Sequence, residues 1–294
     1  MSVLTSSDGT PRVAVVVDSA ASVPDEFRAS PLTHIAPMRL HVGDATYRDG
    51  VDISPADFYQ RQRGNAHQIS TSAPTPADFL DAYAAASEVC ESALTILVSG
   101  AFSAAGRSAE LARQEFSETH PGFQIRTLDS QSAAGGQGLV AWEALKASLA
   151  GCGLEQTEAR ALAIRSRVRL IAYVDTLYYL WKSGRVAGIA HLGTSLLKLK
   201  PIFELSQSQV LTLAKPRTAS RAGEKMMELM AERVGNSTVH AIIMHVSAKE
   251  QALLLRDAVE ERFDCAETFV TEFTPVMGAH IGPGMVGVAF CPVK

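Results

Sequence analysis

Three times in this chain an apolar run of strand length stops at a serine-bearing loop and passes into a helical pattern. Val13 to Val17 is continuous and β-branched, the mark of a strand buried on both faces. It ends in Asp18-Ser19, and Ser22-Val23-Pro24-Asp25-Glu26 opens a helix. Leu94 to Val98 ends in Ser99-Gly100-Ala101-Phe102-Ser103 and continues into the helical AAGRSAELARQEF. Ile125 to Leu128 ends in Asp129-Ser130 and passes through Gly135, Gly136 and Gly138 into LVAWEALKASLA. Strands that feed helices in this way build a parallel α/β sheet, and such sheets bind ligands at the carboxyl ends of their strands. Loop hydroxyls and helix N-terminal N–H groups there suit an anion, whether phosphate, carboxylate or sulfate.

The long connection from Ser30 to Pro76 reads as a hairpin, Met38 to Val42 and Tyr47 to Ile53 broken at Gly43-Asp44. An extended, hydroxyl-rich segment follows over Ser70–Pro76, because its two prolines push their neighbours out of helical space. After Gly151-Cys152-Gly153 short strands alternate with helices. The strand-like runs are Leu170 to Val174, a hairpin over Phe203 to Leu213, His240 to Val246 and Glu267 to Phe273; helical runs cover LEQTEARALAIRSRV, Arg221 to Val234 and LLLRDAVEERF. This half reads as a second α/β domain of mixed strand direction, with the boundary near residues 150–165.

Two further stretches carry chemistry-bearing residues. In Tyr173–Phe203, Asp175-Thr176 is a candidate helix N-cap, Ser183-Gly184 stops that helix, and Arg185 stands just past its end. A second helical run follows, and Leu196, Leu197 and Leu199 lead into Lys200-Pro201. Near the other end of the chain, Ala279-His280-Ile281-Gly282-Pro283-Gly284 is a tight turn that holds one imidazole. Gly282, Gly284 and Gly287 match a dinucleotide fingerprint by letter, but too few residues follow Gly287 to supply the helix that such a site needs.

Several chemistries are excluded. A net charge of -4 carries no basic excess for a nucleic-acid surface. The four cysteines are far apart with no CxxC pair, which gives neither a zinc site nor a disulfide framework and points to a reducing cytoplasm. There is no signal-peptide pattern, and no apolar run approaches the roughly 20 residues of a membrane span. Neither GxSxG nor a P-loop occurs, and no His/Asp/Glu group has metal-ligand spacing. His240 and His245, five apart in a strand, fall on opposite faces as core or surface residues. The tyrosines and Trp181 read as packing.

What remains is a set of hydroxyls, one histidine and one arginine around an α/β cleft. Their setting resembles the DegV family of bacterial fatty-acid-binding proteins, the acyl carriers that serve a fatty acid kinase. The likeness runs from about Arg12 to the end of the chain. It is carried by VDSAASVP at Val17–Pro24, TSAPTP at Thr71–Pro76, SGAFS at Ser99–Ser103, LDSQS at Leu128–Ser132, Leu180–Arg185 with Lys200-Pro201, and HIGPG at His280–Gly284.

The resemblance implies a two-domain α/β architecture. A parallel-sheet head-group domain would span 12–160, and a mixed or antiparallel second domain 161–294, with 275–294 returning to the cleft where the ligand lies. It implies a bound long-chain fatty acid, no cofactor, no metal and no catalytic residue. Thr71 and Ser103, with Ser99 nearby, would hold the carboxylate, and His280, able to carry a proton, would stand beside it. Arg185 would serve the encounter with an ATP-dependent kinase and its phosphoryl transfer. The carrier would be cytoplasmic, without an integral membrane segment but open to transient membrane contact. Gly100, Ala105 and Ile281 replace hydroxyl residues usual in the family, which bears on the head-group hydrogen bonds. A Ser/His acyl hydrolase or transferase using the same cleft is the alternative.

Overall fold

The computed structural model describes residues 13–65, 69–186 and 199–293. The residues before Val13, and the helical run expected between Arg185 and Leu199, lie outside the described residues.

The first half contains β1 (Val13–Asp18), α1 (Asp25–Ala29), β2 (Thr33–Ala36), β3 (Arg39–Val42), β4 (Ala45–Arg48), α2 (Pro55–Asn65) and β5 (Ile69–Ser72). It continues with α3 (Pro76–Ser87), β6 (Ser92–Leu97), α4 (Ala105–Thr119), β7 (Gln124–Asp129) and α5 (Ala134–Leu149). A parallel sheet of order β2-β1-β6-β7 forms its centre, and β1 is buried along its whole length. Two edges depart from the sequence reading. β2 carries the residues Thr-His-Ile-Ala and has only Ala36 fully buried, so no apolar run announced it. β7, whose apolar run Ile125 to Leu128 reads as a buried strand, is an edge strand whose Gln124, Arg126 and Asp129 are exposed.

The hairpin forms at Gly43-Asp44, but its second arm is β4, ending at Arg48 rather than Ile53. Asp49 turns inward there, its N–H bonded to the Met38 carbonyl at 2.9 Å. β5 pairs with the other side of β3, so part of the hydroxyl-rich segment is a strand. Thr75 then starts α3 with a capping box: its hydroxyl accepts the Asp78 N–H, and Asp78 accepts the Thr75 N–H.

The second half contains α6 (Leu154–Arg165), β8 (Arg169–Tyr173), α7 (Tyr178–Ser183), β9 (Ile202–Ser206), β10 (Gln209–Ala214) and α8 (Ala219–Val234). It ends with β11 (Thr238–His245), α9 (Lys249–Arg262), β12 (Cys265–Glu272), α10 (Pro275–Ile281) and β13 (Val286–Val293). Its sheet has the order β10-β9-β8-β13-β11-β12, antiparallel except for the pair β11–β12. α6 packs on α5 and β6, and the chain enters the second sheet with β8. α7 begins at Tyr178, later than a cap at Asp175-Thr176 would place it, and the Asp175 carboxylate is paired with Lys200 instead of capping the helix. The Thr176 hydroxyl does accept the Tyr178 N–H, at 3.2 Å. Gly184, at φ +64°, ends the helix as a left-handed cap. No helix among the described residues is long and apolar enough to cross a membrane.

Strand alternation divides the second sheet between two tasks. Ile171 and Tyr173 pack with Ile202 against Met226 and Met230 of α8. Leu170, Ala172 and Val174 point the other way, towards the first half. α5 lies between the two sheets, and its glycines set the spacing. A Cβ on Gly135 would lie 2.6 Å from Met244 Sδ, and one on Gly138 would lie 2.2 Å from the Ser22 carbonyl oxygen. The obstacle at Gly138 is backbone and cannot swing aside. Gly138→Ala is therefore expected to cost roughly 2–3 kcal/mol despite the better helix propensity of alanine. Thermal denaturation should show Tm lowered by roughly 3–5 °C; an unchanged Tm would mean that the Ser22 loop yields freely.

Candidate functional site

Between the two sheets lies a cavity of about 380 Å³. Its polar lining residues are Thr71, Ser72, Ser103, Ser183, Arg185 and His280; the remaining lining residues are apolar. Leu170, Ala172, Phe203, Leu205 and Val210 give the wall from the second sheet, while Met38, Val276 and Met277 face them from the hairpin layer and α10.

The polar groups gather because four separate elements end at one place. Thr71 is on β5, one residue before its end, and its Oγ1 lies 2.7 Å from Nε2 of His280 in the last turn of α10. This helix was not legible in the sequence, where the segment read as a turn; the turn is confined to Gly282-Pro283-Gly284, with Gly282 at φ +80° and Gly284 at φ +85°. Ser103 precedes α4, and its oxygen accepts the Ala105 N–H at 3.2 Å, so the hydroxyl proton is free to be donated. Arg185 follows the Gly184 cap, and its guanidinium donates to the Phe102 carbonyl beside Ser103. Burial, reinforced by the nearby Arg185 charge, pushes the His280 imidazole down to about 4, so it is neutral at pH 7 rather than already carrying a proton. If Nε2 bears the ring proton and donates it to Thr71, the threonine hydroxyl can donate to an incoming anion.

Ser99 does not join this group. It is fully buried and absent from the cavity wall. Its hydroxyl lies 2.7 Å from that of Ser208 and accepts the Ala101 N–H at 3.2 Å, tying the β9–β10 turn to the loop after β6. The three replaced hydroxyl positions also separate. Gly100 faces Asp129, which accepts its N–H at 3.0 Å, and Ala105 is buried in the first turn of α4. Ile281 alone lines the cavity, and there it adds apolar surface. A second, polar groove of about 490 Å³ meets the cavity at Phe102, Ser103, Ala104 and Arg185, and is lined further by Arg107 and Asp129. Arg185 thus stands on the boundary between an apolar chamber and a wet groove.

Two features escaped the sequence reading. Asp18 is fully buried at the end of β1, where its carboxylate accepts N–H groups from Val98 at 2.7 Å and Ala20 at 3.0 Å, and the Gln137 amide at 3.2 Å. Burial outweighs these bonds and raises the carboxyl to about 6. Glu143, His240 and Glu267 converge from α5, β11 and β12 with the ligand atoms of a metal cluster. Their distances in sequence hid them. Lys146 Nζ pairs with both carboxylates, and the Trp142 indole donates to Glu267 at 2.9 Å, so an ammonium already occupies the cation position. Gly287 sits in β13, where a Cβ would lie 2.7 Å from that of Ala172; strand packing explains this glycine without a dinucleotide.

Comparisons with known proteins agree with this architecture. A DegV domain-containing protein of Mycobacterium tuberculosis is 31% identical over 280 residues, covering 94% of this chain and 96% of that protein. A DegV domain-containing protein of Streptomyces coelicolor is 29% identical, covering 94% and 97%. Among solved structures, a DegV family protein from Thermus thermophilus, described for its fatty acid binding, is 28% identical. It superposes with a TM-score of 0.87 over 96% of this chain and 100% of its own. The model of the family described as "Uncharacterised protein, DegV family" matches residues 12–293. With nearly every element of the two sheets inside that match, the chain belongs to the DegV family.

Proposed function

We propose that the cavity holds one long-chain fatty acid, its carboxylate at Thr71, Ser103 and His280 and its tail along the wall from the second sheet. The observation that carries this reading is the distribution of polarity, a chamber that is apolar except where those groups and Arg185 converge. Burying about fifteen methylenes at ~0.8 kcal/mol each is worth on the order of 12 kcal/mol before ordering costs. The tail supplies affinity, and the head-group residues supply position. The protein is then a non-catalytic carrier that presents the carboxylate to an ATP-dependent fatty acid kinase, which forms the acyl phosphate. The groove on the outer side of Arg185 gives such a partner access to the head group. In the hydrolase alternative His280 would act as base for Ser103. Its Nε2 instead bonds Thr71, and among the described residues no carboxylate hydrogen-bonds to its ring.

Mass spectrometry of an organic extract of the purified protein tests the proposal. About one equivalent of long-chain fatty acid is expected; an empty protein that also fails to take up fatty acid would overturn it.

A pH dependence follows from the neutral imidazole. A free fatty acid is ionised at pH 7, and setting its carboxylate beside a desolvated, uncharged His280 raises the proton affinity of the pair. Binding is expected to take up about one proton, and affinity to fall by up to roughly tenfold per pH unit above neutrality. Calorimetry in buffers of different ionisation enthalpy counts the proton. No uptake would mean that Arg185 alone neutralises the carboxylate.

A further inference from the structure

His280 is placed by a helix only seven residues long, and the other end of that helix is held from far away in the chain. Asp49 is 2% exposed. Its Oδ1 accepts the Val276 N–H at 3.0 Å, and its Oδ2 accepts the Ser19 hydroxyl at 2.6 Å. Nothing local does this work. Pro275 has no N–H, and Thr274 at the N-cap makes no side-chain cap; its hydroxyl donates instead to the Ser19 carbonyl at 3.1 Å. From the side, α10 rests on Tyr59, whose hydroxyl donates to the Phe273 carbonyl at 2.9 Å and whose ring leaves no room for a Cβ on Gly278. Tyr59 thus limits sideways movement, while the Asp49 carboxylate sets where the helix stands along its axis. A helix of this length spans about 10 Å. A shift at its first turn therefore reaches His280 with little damping.

We propose that Asp49 is a positioning residue for the head-group site: by holding the Val276 N–H and the Ser19 hydroxyl together, it fixes α10 and so sets the contact of His280 with Thr71. The inference rests on the reading of that site as a carboxylate cradle, but the contact it explains is present without ligand. Asp49 makes no hydrogen bond that requires a proton of its own; both of its oxygens accept. Ser19 in turn accepts the Met38 N–H at 3.0 Å, which links the clamp to the hairpin layer that carries Thr71 on β5. One carboxylate therefore joins both partners of the Thr71–His280 pair to a single reference point.

The test follows the His280 ring nitrogens by ¹⁵N NMR in ligand-free protein as pH is varied. In the unaltered protein the ring should titrate near 4, as its burial requires. Asp49→Ala is expected to release α10 and move the midpoint upward by roughly one unit, towards the ordinary histidine value near 6.5. Asp49→Asn keeps an oxygen for Val276 and is expected to restore the midpoint to within about 0.3 of a unit. Ser19→Ala should shift it in the same direction by less, and carries the test if Asp49→Ala does not fold. Tyr83→Phe, which removes a buried hydroxyl 3.1 Å from Thr95 in the first half, is the stability control and should leave the midpoint in place. An unmoved midpoint in both Asp49→Ala and Ser19→Ala, an equal shift in Tyr83→Phe, or an Asp49→Asn that behaves like Asp49→Ala would each overturn the proposal. A carboxyl-¹³C fatty acid added afterwards separates the two readings. Failure to bind the unaltered protein would count against the fatty-acid reading alone, since the His280 titration needs no ligand.

Discussion

Arg185→Ala is expected to abolish acyl-phosphate formation while leaving the fatty acid bound. The side chain is exposed, and among the described residues its guanidinium hydrogen-bonds only the Phe102 carbonyl, so its removal leaves no buried partner there unsatisfied. Its place at the junction of chamber and groove puts the positive charge where a phosphoryl group would meet the carboxylate. Removing a donor aimed at developing charge costs on the order of 10²–10³ in rate. Fatty acid affinity should change by less than about threefold, because the tail supplies most of it. The measurement is phosphorylation by ATP and the cognate kinase, paired with a binding titration. Loss of both activities would sink the division of labour between Arg185 and the hydroxyl cradle.

Ala172→Phe should instead weaken fatty acid binding itself. Ala172 is on β8 with its methyl group facing the chamber, and a phenyl ring there would occupy space that the tail needs. Displacing about four methylenes at ~0.8 kcal/mol each weakens binding by ~3 kcal/mol, roughly 200-fold. The effect should depend on chain length, with a short acid losing far less than a long one. Equal losses for both would place the damage at the head group or in the fold, which a parallel Tm measurement would separate. The neighbouring strand offers no relief, since Gly287 already stands against Ala172.

The parts of this architecture that were legible from sequence are those with a local cause. β1 and β6 are buried on both faces and wear continuous apolar runs; Gly184 stops α7 because the chain needs a left-handed residue there. Edges were less legible. β2 and β7 bury too little to need an apolar run, and β4 ends where Asp49 turns into a partner that is distant in sequence. The site divides along the same line. Arg185 and His280 stand beside glycine turn signals, whereas Thr71 and Ser103 were named through the resemblance to the DegV family; all four line one chamber. Ser99 is the exception that shows the limit. It directly follows the cavity-lining Val98, yet its hydroxyl is committed to Ser208, 109 residues further along the chain. Asp18, Asp49 and the Glu143–His240–Glu267–Lys146 group depend wholly on tertiary neighbours, so spacing had nothing to say about them.

The placement of α5 has a consequence for how the molecule holds together. One of its faces packs on β1 and β6, and another, opened by Gly135 and Gly138, packs on β11 and β13. Trp142 and Lys146 then bond Glu267 on β12 from the same helix. The shared helix gives the facing sides of the two sheets one common core, so the two halves are expected to melt as a single cooperative unit rather than as beads on a string. Occupancy of the chamber between them is then registered by the whole chain at once.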